Sequence, residues 1–180
     1  MAHLHGSSGR TPTVLCAVDV GWDGSDDPDG GTSRPFISST ASAALRVADW
    51  EARHHQSALT LIHVLPVTPG APMSPAGVAS ASIERERLVN LIVGHLTQAA
   101  AELIVRAPAD INILVEDGPP DEAIALAAER LAAGLVVLGA ARDPHAVRRV
   151  LLGRVVAGVV RRAGCSVMVV CVKPNGGSVF

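Results

Sequence analysis

Five short apolar runs, each followed by a turn and most by a stretch of helical spacing, restrict this chain more than any other feature. They are Thr13 to Asp19 (TVLCAVD), Ala58 to Leu65 (ALTLIHVL), Asp110 to Glu116 (DINILVE), Leu135 to Gly139 (LVVLG) and Cys165 to Val172 (CSVMVVCV). Successive rather than alternate positions are apolar, the pattern of strands buried on both faces of a parallel sheet. The intervening stretches predict helices over Ser39 to His55, Ala79 to Arg106, Asp121 to Ala133 and Val147 to Ala163. In the first, Ala43, Ala44, Val47, Ala48 and Trp50 form the apolar face, with Ser39 or Thr40 able to cap it. Asp121 and Glu122 follow Gly118-Pro119-Pro120 and suit the positive end of the third helix. Strands alternating with helices, joined by right-handed crossovers, make an α/β fold with a doubly wound five-stranded parallel sheet. Ligands of such sheets sit beyond the carboxyl ends of the strands, where the winding reverses. That directs attention to Asp19, the Leu65 end of the second strand, and Gly139.

At 180 residues the chain fits one domain, expected over residues 13–173. Residues 1–12 and 174–180 are expected to be tails, the first disordered. Residues 20–38, rich in aspartate and glycine, are expected to form a mobile inserted loop that buries little. A net charge of −2 and an aromatic content of 2% argue against a nucleic-acid partner. No apolar run approaches the roughly 20 residues that cross a bilayer, so no membrane partner is expected. Met1 to Gly9 has no apolar core of a secretory signal, and Cys16, Cys165 and Cys171 lie in apolar runs without metal spacing. Both points suit the cytoplasm.

Gly139 ends a strand, a short loop follows, and Gly153 lies at the start of a helix. Glycines let backbone approach closely, and a helix amino terminus offers unpaired N–H groups and partial positive charge, so this arrangement suits an anion. Arginines 142, 148, 149, 154, 161 and 162 stand here against one acid, Asp143. From Thr13 to Val172 the chain resembles the universal stress protein family. TVLCAVD, LTLIHVLP and VEDGPPDEAIALAAERLAAGLVVLG match its early pieces, and the block from Gly139 resembles its glycine, two residues, glycine, nine residues, glycine, serine or threonine pattern. The resemblance implies a Rossmann-like sheet of order 3-2-1-4-5, of the adenine nucleotide alpha hydrolase type. It implies adenine contacts at Asp19 and, through backbone, Val64. It implies phosphate and ribose contacts at Gly139, Ala140, Arg142, Gly153, Arg154 and Val155. The implied cofactor is ATP or another adenine nucleotide, accompanied by magnesium, and the implied partner a second copy joined through residues 165–172. A further protein partner is left unidentified.

The pattern is altered in three places. Arg142 stands at the second glycine, Gly153 follows Gly139 by fourteen positions rather than thirteen, and Arg154 replaces the small hydroxyl residue. Two function classes therefore stay open: a nucleotide-binding stress module, and a dimeric scaffold with a vestigial pocket and no cofactor. Asp19 could instead simply cap its strand, and Gly139 and Gly153 could serve packing alone. No nucleophile and base are paired by any motif, so at most weak ATP hydrolysis is expected. Asp23, Asp26, Asp27 and Asp29 lack the order of a calcium loop and read as a solvated acidic segment. His54, His55 and His63 lack metal spacing and read as surface or strand-end residues. A phosphoacceptor receiver is a third alternative, since Asp19, Asp117 and Lys173-Pro174 echo its acids and lysine.

Overall fold

The structure is a computed structural model that describes residues 12–22, 35–65, 75–141 and 153–172. In chain order the elements are β1 (Thr13–Ala17), β2 (Val20–Trp22), β3 (Pro35–Ile37), α1 (Ser39–His54), β4 (Ala58–Leu65) and α2 (Pro75–Leu103). After these come β5 (Ile111–Asp117), α3 (Pro120–Arg130), β6 (Ala133–Ala141), α4 (Arg154–Arg162) and β7 (Ser166–Val172). The five long apolar runs pair in the order β5-β4-β1-β6-β7, all parallel. This is the doubly wound α/β sheet expected, with β1 at its centre and the winding reversing between β1 and β6.

The burial of successive residues explains the two helical layers. Val14 and Cys16 of β1, Leu59 and Leu61 of β4, and Val137 of β6 face α1 and α2, meeting Ala44, Leu45, Ala48, Ile92 and Leu96. Leu15, Ile62, Val136 and Leu138 face the other way onto Ile124, Ala127, Ala128, Val156 and Val159 of α3 and α4. A strand with water on one face would not carry both sets. Burial also pushes the Cys16 thiol up to about 12, which keeps it protonated and inert at neutral pH.

Several local expectations are corrected. Ser38, not Ser39 or Thr40, caps α1, its hydroxyl accepting from the Ala41 N–H at 3.2 Å. Trp50 is exposed rather than part of the apolar face, and stacks on the His54 ring at 4.9 Å. Both ends of the expected loop 20–38 are ordered: Val20–Trp22 pairs antiparallel with Pro35–Ile37. Val20 is buried in the core beside α1, because it follows the central strand directly. The acidic residues Asp23 to Asp29 between these strands lie outside the described residues, as do residues 1–11 and 174–180. Pro12, counted in the expected disordered tail, is described, and its carbonyl accepts from the Ala58 N–H at 2.9 Å.

A buried carboxylate ties α1 to the segment after α2. Asp49 bonds the Arg53 Nε at 2.9 Å, lies 3.7 Å from the Arg106 Nε, and accepts from the Val105 N–H at 3.4 Å. Arg106 in turn donates to the Ser57 carbonyl at 3.1 Å. Sharing one carboxylate between two guanidiniums compensates a charge that burial alone would make costly.

Gly139 lies within β6 rather than at its end, and its role in packing is direct. A Cβ there would run into the Thr40 carbonyl in the first turn of α1, so glycine lets that helix close on the strand. Gly139→Ala should therefore lower stability by about 1–3 kcal/mol through overpacking, read by urea unfolding at unchanged m-value. An unaltered midpoint would show that α1 is not seated this closely.

Candidate functional site

At the carboxyl end of the sheet, β1 stops before its neighbours. The β1–β4 ladder runs to Ala17↔Ile62, and the Val18 N–H still donates to the Ile62 carbonyl at 2.9 Å. Beyond it the chain leaves toward β2 through Asp19, which is exposed. β4 continues to Leu65, whose carbonyl accepts from the Gly118 N–H on the β5 side at 3.0 Å. Backbone groups of successive strand residues point to opposite edges, so Val64 turns its N–H and C=O toward the gap that β1 has left.

This gap is the floor of a cleft of about 450 Å³. Ala17 to Asp19, Ile62 to Val64, and Leu138 to Ala141 supply its strand ends. Thr40 closes it from α1, Pro120 and Ile124 from α3, and Gly153 to Val156 from the start of α4. Of the residues singled out from the sequence, Asp19, Val64, Gly139, Ala140, Gly153, Arg154 and Val155 thus line one cavity; Arg142 lies outside the described residues.

The α4 end has the chemistry of an anion site. Gly153 is the helix cap and offers no side-chain acceptor, and the first helical bond runs from the Ala157 N–H to the Gly153 carbonyl. The amides of Arg154, Val155 and Val156 stand ahead of that ladder. Among the described residues a Cβ at Gly153 would meet nothing within 4 Å, so their packing does not call for glycine there. Arg154 is exposed beside it, and Asp19 and Arg154 carry the formal charges among the described lining residues.

Of the basic cluster read from the sequence, arginines 142, 148 and 149 lie outside the described residues, and the other three are split between the two ends of α4. Arg161 and Arg162 sit in the last turn of α4, away from its amino end, and Arg162 is paired with Asp121 at 2.7 Å and Glu122 at 3.3 Å. That pairing anchors α4 to α3, where Gly158 lets the helix lie against the Asp121 side chain. Sequence reasoning missed His63 as a lining residue. It is 6% exposed, and its Nδ1 lies 3.0 Å from the Val18 carbonyl. An ionisable side chain inside the strand LTLIHVL was the available signal. Thr40, Pro120, Ile124 and Leu138 carried no such signal, since only the three-dimensional closure brings them to the cleft.

A larger hollow of about 620 Å³ lies between α3, the end of α4 and the start of β7, lined by Leu126, Glu129, Arg162 and Cys165 among others. It belongs to the amino ends of β6 and β7 and contains none of the residues singled out for a ligand. The receiver alternative is overturned by topology. Receivers have the order 2-1-3-4-5, which sets the phosphoacceptor strand beside the first. Here β4 lies between β1 and β5, and Asp117 is engaged by Arg85 at 2.5 Å.

Solved structures similar to this one share its fold. The universal stress protein UspA from Lactobacillus plantarum is 24% identical, with a TM-score of 0.56, over 91% of this chain and 99% of its own. A universal stress protein in complex with cAMP is 18% identical at a TM-score of 0.53, over 89% of this chain and 97% of its own. A universal stress protein family protein from Arabidopsis thaliana with AMP bound is 18% identical at a TM-score of 0.54, over 93% and 96%. A comparison with curated proteins found no match. The profile of the Universal stress protein family matches residues 37–171, well over half of the sequence, and the chain belongs to that family.

Proposed function

We propose that the cleft at the winding reversal binds an adenine nucleotide, and that the chain is a stress-linked binding module of the cytoplasm. The observation that carries this reading is the convergence of three kinds of group on one cavity. Asp19 provides a carboxylate acceptor and Val64 an open main-chain edge, while the start of α4 provides amides and partial positive charge. Ile62, Ile124 and Leu138 supply apolar walls for a planar base. The reading is supported by family relatives solved with AMP and with cAMP. Arg154 adds a guanidinium where a phosphate would rest against α4. Magnesium would accompany ATP through the phosphates.

The vestigial-pocket reading is favoured by one observation: Gly139 has a complete explanation in its approach to Thr40. Gly153 has no such packing partner among the described residues, and its place at the start of α4 in the cleft supports the ligand reading. In either reading the chain pairs with a second copy along β7, an edge strand that among the described residues pairs with β6 alone and exposes Cys171. No helix among the described residues is long and apolar enough to cross a membrane.

Calorimetric titration with AMP, cAMP, ADP and ATP should give saturable heat, with magnesium affecting ATP and not AMP. Asp19→Ala should weaken binding by about tenfold, the scale of one charge-assisted hydrogen bond. Gly153→Ala should cost about 1 kcal/mol of stability or less as a cap change, yet weaken binding by crowding the phosphate. No heat at millimolar ligand would remove the nucleotide reading and leave the scaffold. Light scattering should return twice the 18.5 kDa chain mass, and a monomer would contradict pairing through β7.

A further inference from the structure

His63 stands at the point where β1 leaves the sheet. It is on β4, level with Val115 of β5, and is 6% exposed in a run whose other residues, Thr60 apart, are apolar. Val18 directs both its backbone groups toward β4. Its N–H meets the Ile62 carbonyl, but among the described residues no main-chain donor meets its carbonyl. The His63 Nδ1 lies there instead, at 3.0 Å, across 45 residues of sequence. A carbonyl oxygen only accepts, so Nδ1 carries the proton and donates, and the neutral ring keeps its lone pair on Nε2.

We propose that His63 is a positioning residue for Asp19. By holding the Val18 carbonyl it fixes the last peptide before Asp19, and with it the direction from which the carboxylate enters the cleft. A parallel ladder would ordinarily do this with the amide of Val64. Using a side chain instead leaves Val64's backbone edge open toward the cleft while still anchoring the end of β1. One histidine therefore serves both of the contacts proposed for the base. The ligand part of this inference rests on the nucleotide reading; the anchoring part does not.

Two substitutions separate positioning from packing. Asparagine carries its amide nitrogen at the same remove from Cβ as Nδ1 and can donate to Val18, whereas leucine fits the apolar strand but cannot donate. His63→Asn should keep AMP affinity within about threefold, and His63→Leu should lose about tenfold or more, the scale of one hydrogen bond. A residue that only fills space would give the reverse order, with leucine the better tolerated. Hydrogen exchange at the Asp19 and Val20 amides supplies a readout without ligand. It should quicken at least about tenfold in His63→Leu and stay near wild type in His63→Asn. Nitrogen-15 NMR of the ring should show Nδ1 protonated and Nε2 bare in the neutral form. Equal exchange in both variants, the opposite tautomer, or leucine retaining full affinity would overturn the proposal. If the wild-type chain binds no nucleotide, the function reading fails, and the exchange and tautomer results still decide whether His63 anchors the end of β1.

Discussion

The central strand is buried on both faces, and the remaining architecture follows from that constraint. Leu15 and Cys16 are adjacent in β1, point to opposite sides, and are both fully buried. Neither face of the sheet can be left to water, so helices must cover both, α1 and α2 on one side and α3 and α4 on the other. Covering both faces with right-handed crossovers obliges the winding to reverse once. The reversal falls between β1 and β6, and a cleft opens where their connections part in opposite directions. The site is thus a consequence of hydrophobic burial before any of its polar residues is considered.

What the polar residues add is placement. Asp49 holds the segment after α2 to α1 through Arg106, and Arg162 holds α4 to the first turn of α3. The second of these matters for the cleft, because the amino end of α4 is the wall that offers free amides. Gly158 and Gly139 act in the same sense. Each removes a side chain where two backbones or a helix and an acid must approach, one setting α4 against α3 and the other α1 against β6. Asp19, Gly153 and Arg154 are exposed by comparison and leave the framework to other residues.

Much of this was legible in the chain itself, for identifiable reasons. Runs such as ALTLIHVL are apolar at consecutive positions, and only a covered parallel sheet accommodates five of them; the bounds of β4 agree with that run to the residue. That the described candidate residues line one cavity was also foreseeable, Asp19 and Gly139 from the rule for sheets of this class and the others from the family resemblance. Other features depend on neighbours that sequence spacing cannot place. Ser38, directly after β3, is the cap in place of Ser39 or Thr40. Val20 is buried only because the inserted segment begins against the core. Gly139 is required by Thr40, a residue almost a hundred positions earlier. His63 read as a surface or strand-end residue because its partner is the Val18 carbonyl, just past the end of β1 and 45 positions away in sequence.

The most direct test of this account is a backbone-amide NMR titration of the whole chain with AMP. The account predicts shift changes concentrated at residues 17–19, 62–64, 139–141 and 153–156, the strand ends and helix start that surround the cleft. Changes centred instead on residues 125–129 and 164–165, at the hollow beside α3, would place the ligand elsewhere. An unaltered spectrum at millimolar AMP would contradict nucleotide binding by this chain.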